Sequence, residues 1–384
     1  MSPLKKAILF IHRWLGFISG LVVLVVSITG CIFCFQDEIQ DALYSYRKIT
    51  VQNQPMLKPS VFQQSAVKRY PKGKVTSVLY FGENRSVQVR ISNKKVIHSL
   101  FFNPYSGQFL YDQDFKNSFF NRVKTIHLYC FMPPEIGEKV RNIGVIIFVA
   151  LMITGIILWW PKRKSDRKRS FTIKWKGKWR RVNYDLHNVL GFYATAFVLI
   201  MALSGLNMAY DSMSKGIKFA LNGGKEYPFE VKKMKSDTMQ TNPALKITEV
   251  MDLAYDTVRQ KSAGAQMIIM IPGAAKSGTV SVTAYPQALH FSNNDGYNFD
   301  KYNAKLLRYL PSAQKSAGFR FTNMNYDIHT GQIAGLFGKI IAFLASLITA
   351  SLPITGLIVY LGKKVKKKKM IRSPNGKHLR RVIS

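Results

Sequence analysis

Four uncharged stretches constrain this 384-residue chain more than any other feature. Residues 14–35, 142–160, 188–210 and 340–361 each run for 19 to 23 positions without Asp, Glu, Lys or Arg. A helix needs about 20 apolar residues to cross roughly 30 Å of hydrocarbon. The expected fold is therefore a mainly α membrane protein with four transmembrane helices. The first stretch is too long for a signal peptide, and no small-x-small cleavage site closes it before Gln36-Asp37-Glu38, so it is expected to stay as a span.

Charge then orients the spans. Lys and Arg number 56 against 20 Asp and Glu, a formal charge of +36. Residues 1–6, 162–181 and 362–384 hold 23 of those 56 with a single acid, Asp166. Basic excess in short segments marks the cytoplasmic side, so both termini and the central linker are expected inside, with 37–126 and 211–328 outside. Basic runs at 162–169 and 363–369 suit anionic lipid head groups, which accounts for the charge without nucleic acid. The three cysteines supply no disulfide framework for the outer segments. Cys31 and Cys34 form a C-x-x-C inside the first stretch, where they read as small residues on a helix face.

The spans repeat. His12-Arg13-Trp14-Leu15-Gly16-Phe17, closing in Ser27-Ile28-Thr29-Gly30, matches His187-Asn188-Val189-Leu190-Gly191-Phe192, closing in Leu203-Ser204-Gly205, at a constant offset of 175. Ile126-His127 matches Ile328-His329, and Ile153-Thr154-Gly155-Ile156 matches Ile354-Thr355-Gly356-Leu357. The chain reads as a duplicated unit of helix, external domain and helix, its two copies related by an axis along the membrane normal. The expected boundaries are a helix over 1–36, an outer domain over 37–126, a helix with its lead-in over 127–161, a linker over 162–181, a helix over 182–210, an outer domain over 211–328, a helix over 329–361 and a basic tail over 362–384.

Each outer domain reads as small α+β. In the first, 60–69 suggests a helix and 75–80, 87–91 and 96–102 suggest strands. In the second, 244–259 has helical spacing while 267–271 and 279–284 look like strands. Asn103-Pro104-Tyr105-Ser106-Gly107 reads as turn chemistry, and Asp300-Lys301-Tyr302-Asn303-Ala304 stands in the corresponding place without its Pro or Gly.

Four of the seven histidines fall at span ends in matched positions. Ionisable groups at membrane depth are costly and mark functional sites. At 3.6 residues per turn, Gly16, Gly20 and Gly30 share the azimuth of His12, as Gly191, Thr195 and Gly205 share that of His187. Such a stripe leaves room for a flat ligand, or brings helices close together. Zinc would need a third or fourth ligand nearby, whereas two imidazoles complete the axial positions of a haem iron. No C-x-x-C-H string exists for covalent attachment, so two haem b groups are expected: an inner one between His12 and His187, packed by Gly16, Gly20 and Gly191, and an outer one between His127 and His329. His98, His290 and His378 have no repeat partner and read as ordinary domain residues.

With His12-Arg13-Trp14-Leu15-Gly16-Phe17, Ile153-Thr154-Gly155 with Trp159-Trp160-Pro161, His187 to Phe192 and Ile354-Thr355-Gly356 in place, the chain resembles the PepSY-associated transmembrane family over nearly its whole length. Its best understood type is the ferric-siderophore reductase. Asn103-Pro104-Tyr105-Ser106-Gly107 looks like the corresponding string of a PepSY module, which makes the outer domains PepSY-like and periplasmic. The resemblance implies a bacterial inner-membrane protein that reduces siderophore-bound ferric ion in the periplasm through two b-type haems. A permease for siderophore or iron, or a non-redox PepSY-type binding or regulatory protein, are the other readings. No G-x-G-x-x-G follows a strand, so a separate cytoplasmic reductase or a membrane quinol is expected to supply electrons.

Overall fold

A computed structural model describes residues 2–161, 163–239 and 245–371, with the backbone alone given for 363–371. Lys162, Ala244, His378 and the basic tail from 372 onward lie outside the described residues. Among the described residues, four helices are long and apolar enough to cross a membrane, Pro3–Cys34, Pro134–Trp159, Trp179–Ala209 and Gln332–Gly362, and the chain is a multi-pass membrane protein. The described residues fall into two compact units. A helical unit takes the residues up to Cys34, Lys124–Leu203 and those from Ile340 on, and a sheet unit takes Phe35–Val123 and Ser204–Lys339.

In the helical unit the first and second spans pack closely because Gly144 has no side chain. A Cβ there would come within 2.7 Å of Val22 Cγ1. The third span is not a uniform α-helix. Residues Leu186–Leu190, which include His187, form a π-helical turn between Trp179–Asp185 and Gly191–Ala209. Such turns add a residue to the helix and re-aim the side chains they carry. The fourth span contains Pro353, which cannot donate the usual main-chain bond four residues back.

The sheet unit holds one eight-stranded antiparallel sheet in the order β4-β3-β2-β1-β5-β6-β7-β8. The first four strands are β1 (Lys74–Tyr80), β2 (Val87–Asn93), β3 (Val96–Phe102) and β4 (Phe109–Asp114). The other four are β5 (Met267–Pro272), β6 (Val280–Tyr285), β7 (Asp295–Phe299) and β8 (Leu306–Leu310). Each set is a meander, and the two join through β1 and β5, where Val78, Leu79 and Tyr80 pair with Met270, Ile269 and Ile268. The two outer domains expected from the sequence thus share a single sheet. Sharing it removes two exposed edges, which otherwise present unpaired main-chain groups. The helices Pro59–Arg69 and Ile247–Lys261 contribute Phe62, Ala66, Met251, Ala254 and Val258 to a core with Val78, Tyr80, Ile91, Leu100 and Met270. Tyr80 stacks on Tyr255 at 4.8 Å in that core. Proline at the first turn starts the former helix. The Glu249 carboxylate accepts from Lys246 N at 2.8 Å at the head of the latter.

The two corner turns are built alike despite their different residues. Asn103 Oδ1 accepts from the main-chain nitrogens of Tyr105 and Ser106, and Asp300 Oδ1 accepts from those of Tyr302 and Asn303. Each closes on a left-handed residue, Gly107 at φ 73° and Ala304 at φ 60°.

Candidate functional site

The histidines of the first and third spans meet. The rings of His12 and His187 lie with centroids 6.5 Å apart and planes at 84°. His12 Nδ1 is 2.9 Å from Thr154 Oγ1, and His187 Nδ1 is 2.9 Å from Thr355 Oγ1. Both hydroxyl protons are already committed, since Thr154 donates to Ala150 O at 2.9 Å and Thr355 donates to Ser351 O at 2.9 Å. Each imidazole must therefore donate from Nδ1 to the threonine oxygen, which leaves Nε2 with an unprotonated lone pair. A hydroxyl behind the ring fixes the tautomer just as the outer partners of metal-ligating histidines do. The residue after each threonine is glycine, and the missing side chain seats the ring. A Cβ on Gly155 would lie 3.5 Å from His12 Cε1, and one on Gly356 would lie 3.1 Å from His187 Cε1.

A cavity of about 310 Å³ adjoins both rings. It is within the range of small-ligand sites. Gly16, Gly20, Gly191 and Thr195 line it, and at Gly16 a Cβ would meet nothing nearer than Leu151 Cδ2 at 4.0 Å. Trp159 and Phe192, stacked at 3.7 Å, form part of the apolar wall. Arg13 is the charged residue of the lining, with Cζ 5.2 Å from the Tyr360 ring, and Tyr184 and Asn188 add polar groups. Two bare imidazole nitrogens, glycine-lined apolar walls and one guanidinium suit a flat, anionic macrocycle whose metal lacks two axial ligands. Zinc fits less well, because no cluster of three His, Cys, Asp or Glu occurs among the described residues.

The other two matched histidines carry the same local fixture, each in its own unit. In the helical unit, His127 Nδ1 is 3.0 Å from Thr29 Oγ1 and 3.1 Å from Val26 O. A carbonyl only accepts, so Nδ1 again bears the proton. A Cβ on Gly30 would lie 3.7 Å from His127 Cε1. In the sheet unit, His329 Nδ1 is 3.0 Å from Ser204 Oγ, and a Cβ on Gly205 would lie 3.1 Å from Cε1. Both histidines end short helices, Phe119–Tyr129 and Ala317–Thr330, that lead to the second and fourth spans. Left-handed residues close these helices, Cys130 and Phe131 after the first and Gly331 after the second.

Sequence reasoning gave the glycines Gly30 and Gly205 only an azimuth, and it missed the threonines. The signal is nonetheless present: a hydroxyl residue directly before glycine occurs five times in the spans, and four of the five, Thr29-Gly30, Thr154-Gly155, Ser204-Gly205 and Thr355-Gly356, meet a histidine, while Ser19-Gly20 does not. The unmatched histidines have other surroundings. His98 Nδ1 lies 3.0 Å from Asp112 Oδ1 and 3.1 Å from the Tyr70 hydroxyl, and His290 Nε2 lies beside the Gln332 amide. Cys31 and Cys34 are buried and unbridged, with Cys31 Sγ 3.6 Å from Phe343 O.

The family model described as the PepSY-associated TM region matches residues 9–363. No curated protein matches the sequence.

Proposed function

The chain belongs to the PepSY-associated TM region family, and from that premise we propose that it is a haem b-dependent reductase of the bacterial inner membrane that passes electrons to siderophore-bound ferric ion in the periplasm. The observation that carries the reading is the inner cavity, where two histidines held with Nε2 bare face a glycine-lined space. His12 and His187 would hold one haem there, with Arg13 placed to neutralise a carboxylate. The matched sequence positions of His127 and His329 are what assigns a second haem to those two histidines. Bound haem supplies reversible one-electron chemistry.

The residues around the site would do three things. Thr154 and Thr355 hold the imidazole protons on Nδ1, so that ligation needs no proton to leave. Gly16, Gly20 and Gly191 keep volume free for the macrocycle, and the apolar wall of Trp159 and Phe192 excludes water. The chain then reads as a duplicated unit with two PepSY-like modules that share one sheet, both termini in the cytoplasm and the sheet unit in the periplasm. Each electron delivered converts one ferric to one ferrous ion, which hard oxygen chelators hold less tightly. The donor is a separate cytoplasmic reductase or a quinol.

Reduced-minus-oxidised spectra of the purified full chain test the reading. A b-type signal of about two haems per chain is expected, with loss of one of them in His187→Ala. A stable wild-type protein that takes up no haem on reconstitution overturns it. Oxidation of the reduced, haem-loaded protein by a ferric hydroxamate or catecholate tests the acceptor separately.

A further inference from the structure

Two asparagines hold the same fixtures from behind. Asn183 and Asn325 are 1% and 3% exposed, and each stands four residues before a matched histidine, His187 and His329. Residues four apart lie on one helix face. Asn183 Nδ2 donates to the main-chain carbonyl of Thr355 at 3.0 Å, and Asn325 Nδ2 donates to that of Ser204 at 2.9 Å. These are the two residues whose hydroxyls receive the histidines. One helix face thus grips a single residue of its neighbour twice, the main chain through an amide and the side chain through an imidazole.

The amide orientation follows from chemistry, since a carbonyl accepts and only the amide nitrogen can donate to it. That leaves both Oδ1 atoms buried without a hydrogen-bond partner. An unmet buried acceptor is costly, and an aliphatic side chain of similar size would avoid the cost. Filling space therefore does not explain an asparagine at either position. The first half of the chain does without the device: four residues before His12 and His127 stand Ile8 and Val123.

We infer that Asn183 and Asn325 are positioning residues that set the rotation of the His187 and His329 rings by locking the main chain of Thr355 and Ser204. At His187 the need is physical. The ring rises from a π-helical turn, whose wider path fixes side-chain direction less tightly than a regular helix does. With residue 355 held at its carbonyl, its hydroxyl has one position from which to accept Nδ1–H, and the imidazole plane follows. The consequence for ligand-plane orientation rests on the haem reading, while the clamp itself does not.

The test uses Asn183→Leu and Asn325→Leu in the full chain, each trading a half-satisfied amide for an apolar group of similar volume. Thermal stability is expected to hold. Nitrogen-15 spectra of labelled histidines in the haem-free protein should show His187 as the Nδ1–H tautomer in wild type, with the tautomer ratio shifted on the order of fivefold in Asn183→Leu, as loss of one hydrogen bond implies. In the haem-loaded protein, the low-spin resonance of one haem should shift while haem content stays constant. Unchanged tautomers and unchanged resonances overturn the inference. Unfolding of both the leucine variants and the corresponding alanine variants also overturns it, because it marks the asparagines as structural. A wild type that binds no haem sinks the haem reading instead, and the tautomer measurement still decides the role of the asparagines.

Discussion

His12 and His187 face one another, yet they are seated by different means. His12 rises from the unbroken helix Pro3–Cys34, its Cε1 at ordinary contact distance, 3.5 Å, from where a Cβ on Gly155 would be. His187 rises from a π-helical turn and packs to within 3.1 Å of the corresponding point on Gly356. The helix opposite carries Pro353, and Asn183 holds its main chain. The same contrast recurs at the other two histidines, 3.7 Å for His127 over Gly30 and 3.1 Å for His329 over Gly205. The histidines of the N-terminal half have slack and those of the C-terminal half do not. Under the haem reading, a tight ligand fixes the orientation of the group and a slack one adapts to it.

Glycine substitution should break that contrast most clearly. In Gly356→Ala the new methyl pushes His187 by a few tenths of an ångström, an overpacking cost of about 1–3 kcal/mol set against a helix gain of about 1 kcal/mol, and the cavity beside His12 and His187 should lose its ligand geometry. In Gly155→Ala the methyl reaches only van der Waals distance, and alanine favours a helix by about 1 kcal/mol over glycine. Thermal unfolding and haem content after reconstitution should therefore fall in the first variant and stay level or rise in the second. Equal losses in both would remove the distinction between a tight and a slack seat.

Threonine substitution sharpens the contrast with a smaller effect of opposite sense. Thr154→Val and Thr355→Val each remove the hydroxyl that accepts an imidazole N–H, a hydrogen bond worth about 0.5–1.5 kcal/mol. His12 lacks the tight seat and the asparagine clamp, so its tautomer ratio should scatter further than that of His187, which both still confine. Nitrogen-15 histidine spectra of the two variants decide this, and a larger change at His187 would reverse the assignment of slack.

What the sequence could and could not reveal follows from how local each signal is. The four spans and five of the eight strands, β1 to β3 with β5 and β6, are legible because long apolar runs and β-branched alternation are properties of a few consecutive residues. Three strands were not legible: β4, β7 and β8 carry Asp112 to Asp114, Asp295 to Asn298 and Arg308 among their residues, a polarity that reads as loop. Their register comes from the neighbouring strands. The joining of β1 to β5 was invisible because nearly 190 residues separate the partners. Histidine positions at the site were legible from the internal match, but the π-helical turn was not, since neither Gly nor Pro marks residues 186–190. The asparagine clamp was missed for a related reason: Asn183 lies in the polar run ahead of the third uncharged stretch, where an amide looks like surface.

The corner turns carry the comparison into the sheet unit, where the expected effects are smallest. Gly107 and Ala304 occupy equivalent left-handed positions, at φ 73° and φ 60°. In Gly107→Ala a side chain enters a conformation that costs roughly 1–2 kcal/mol for an L-residue, and its Cβ would lie 3.2 Å from Val61 Cγ1 and 3.3 Å from Leu57 Cδ1. Both terms destabilise. Ala304→Gly removes the same strain, but Ala304 packs against the sheet core, so the change also gives up roughly 0.8 kcal/mol of buried methyl. Glycine further widens the unfolded ensemble by about 0.5–1 kcal/mol. The gain and the losses nearly cancel, and the expected change is within about 1 kcal/mol of zero. All five tryptophans lie outside the sheet unit, so indole fluorescence does not report it. Amide exchange in β3 and β4 for the first variant, and in β7 and β8 for the second, measures each turn against its own strands. A clear stabilisation by Ala304→Gly would mean that the alanine methyl contributes nothing to the core it touches, and that the two turns differ in strain alone.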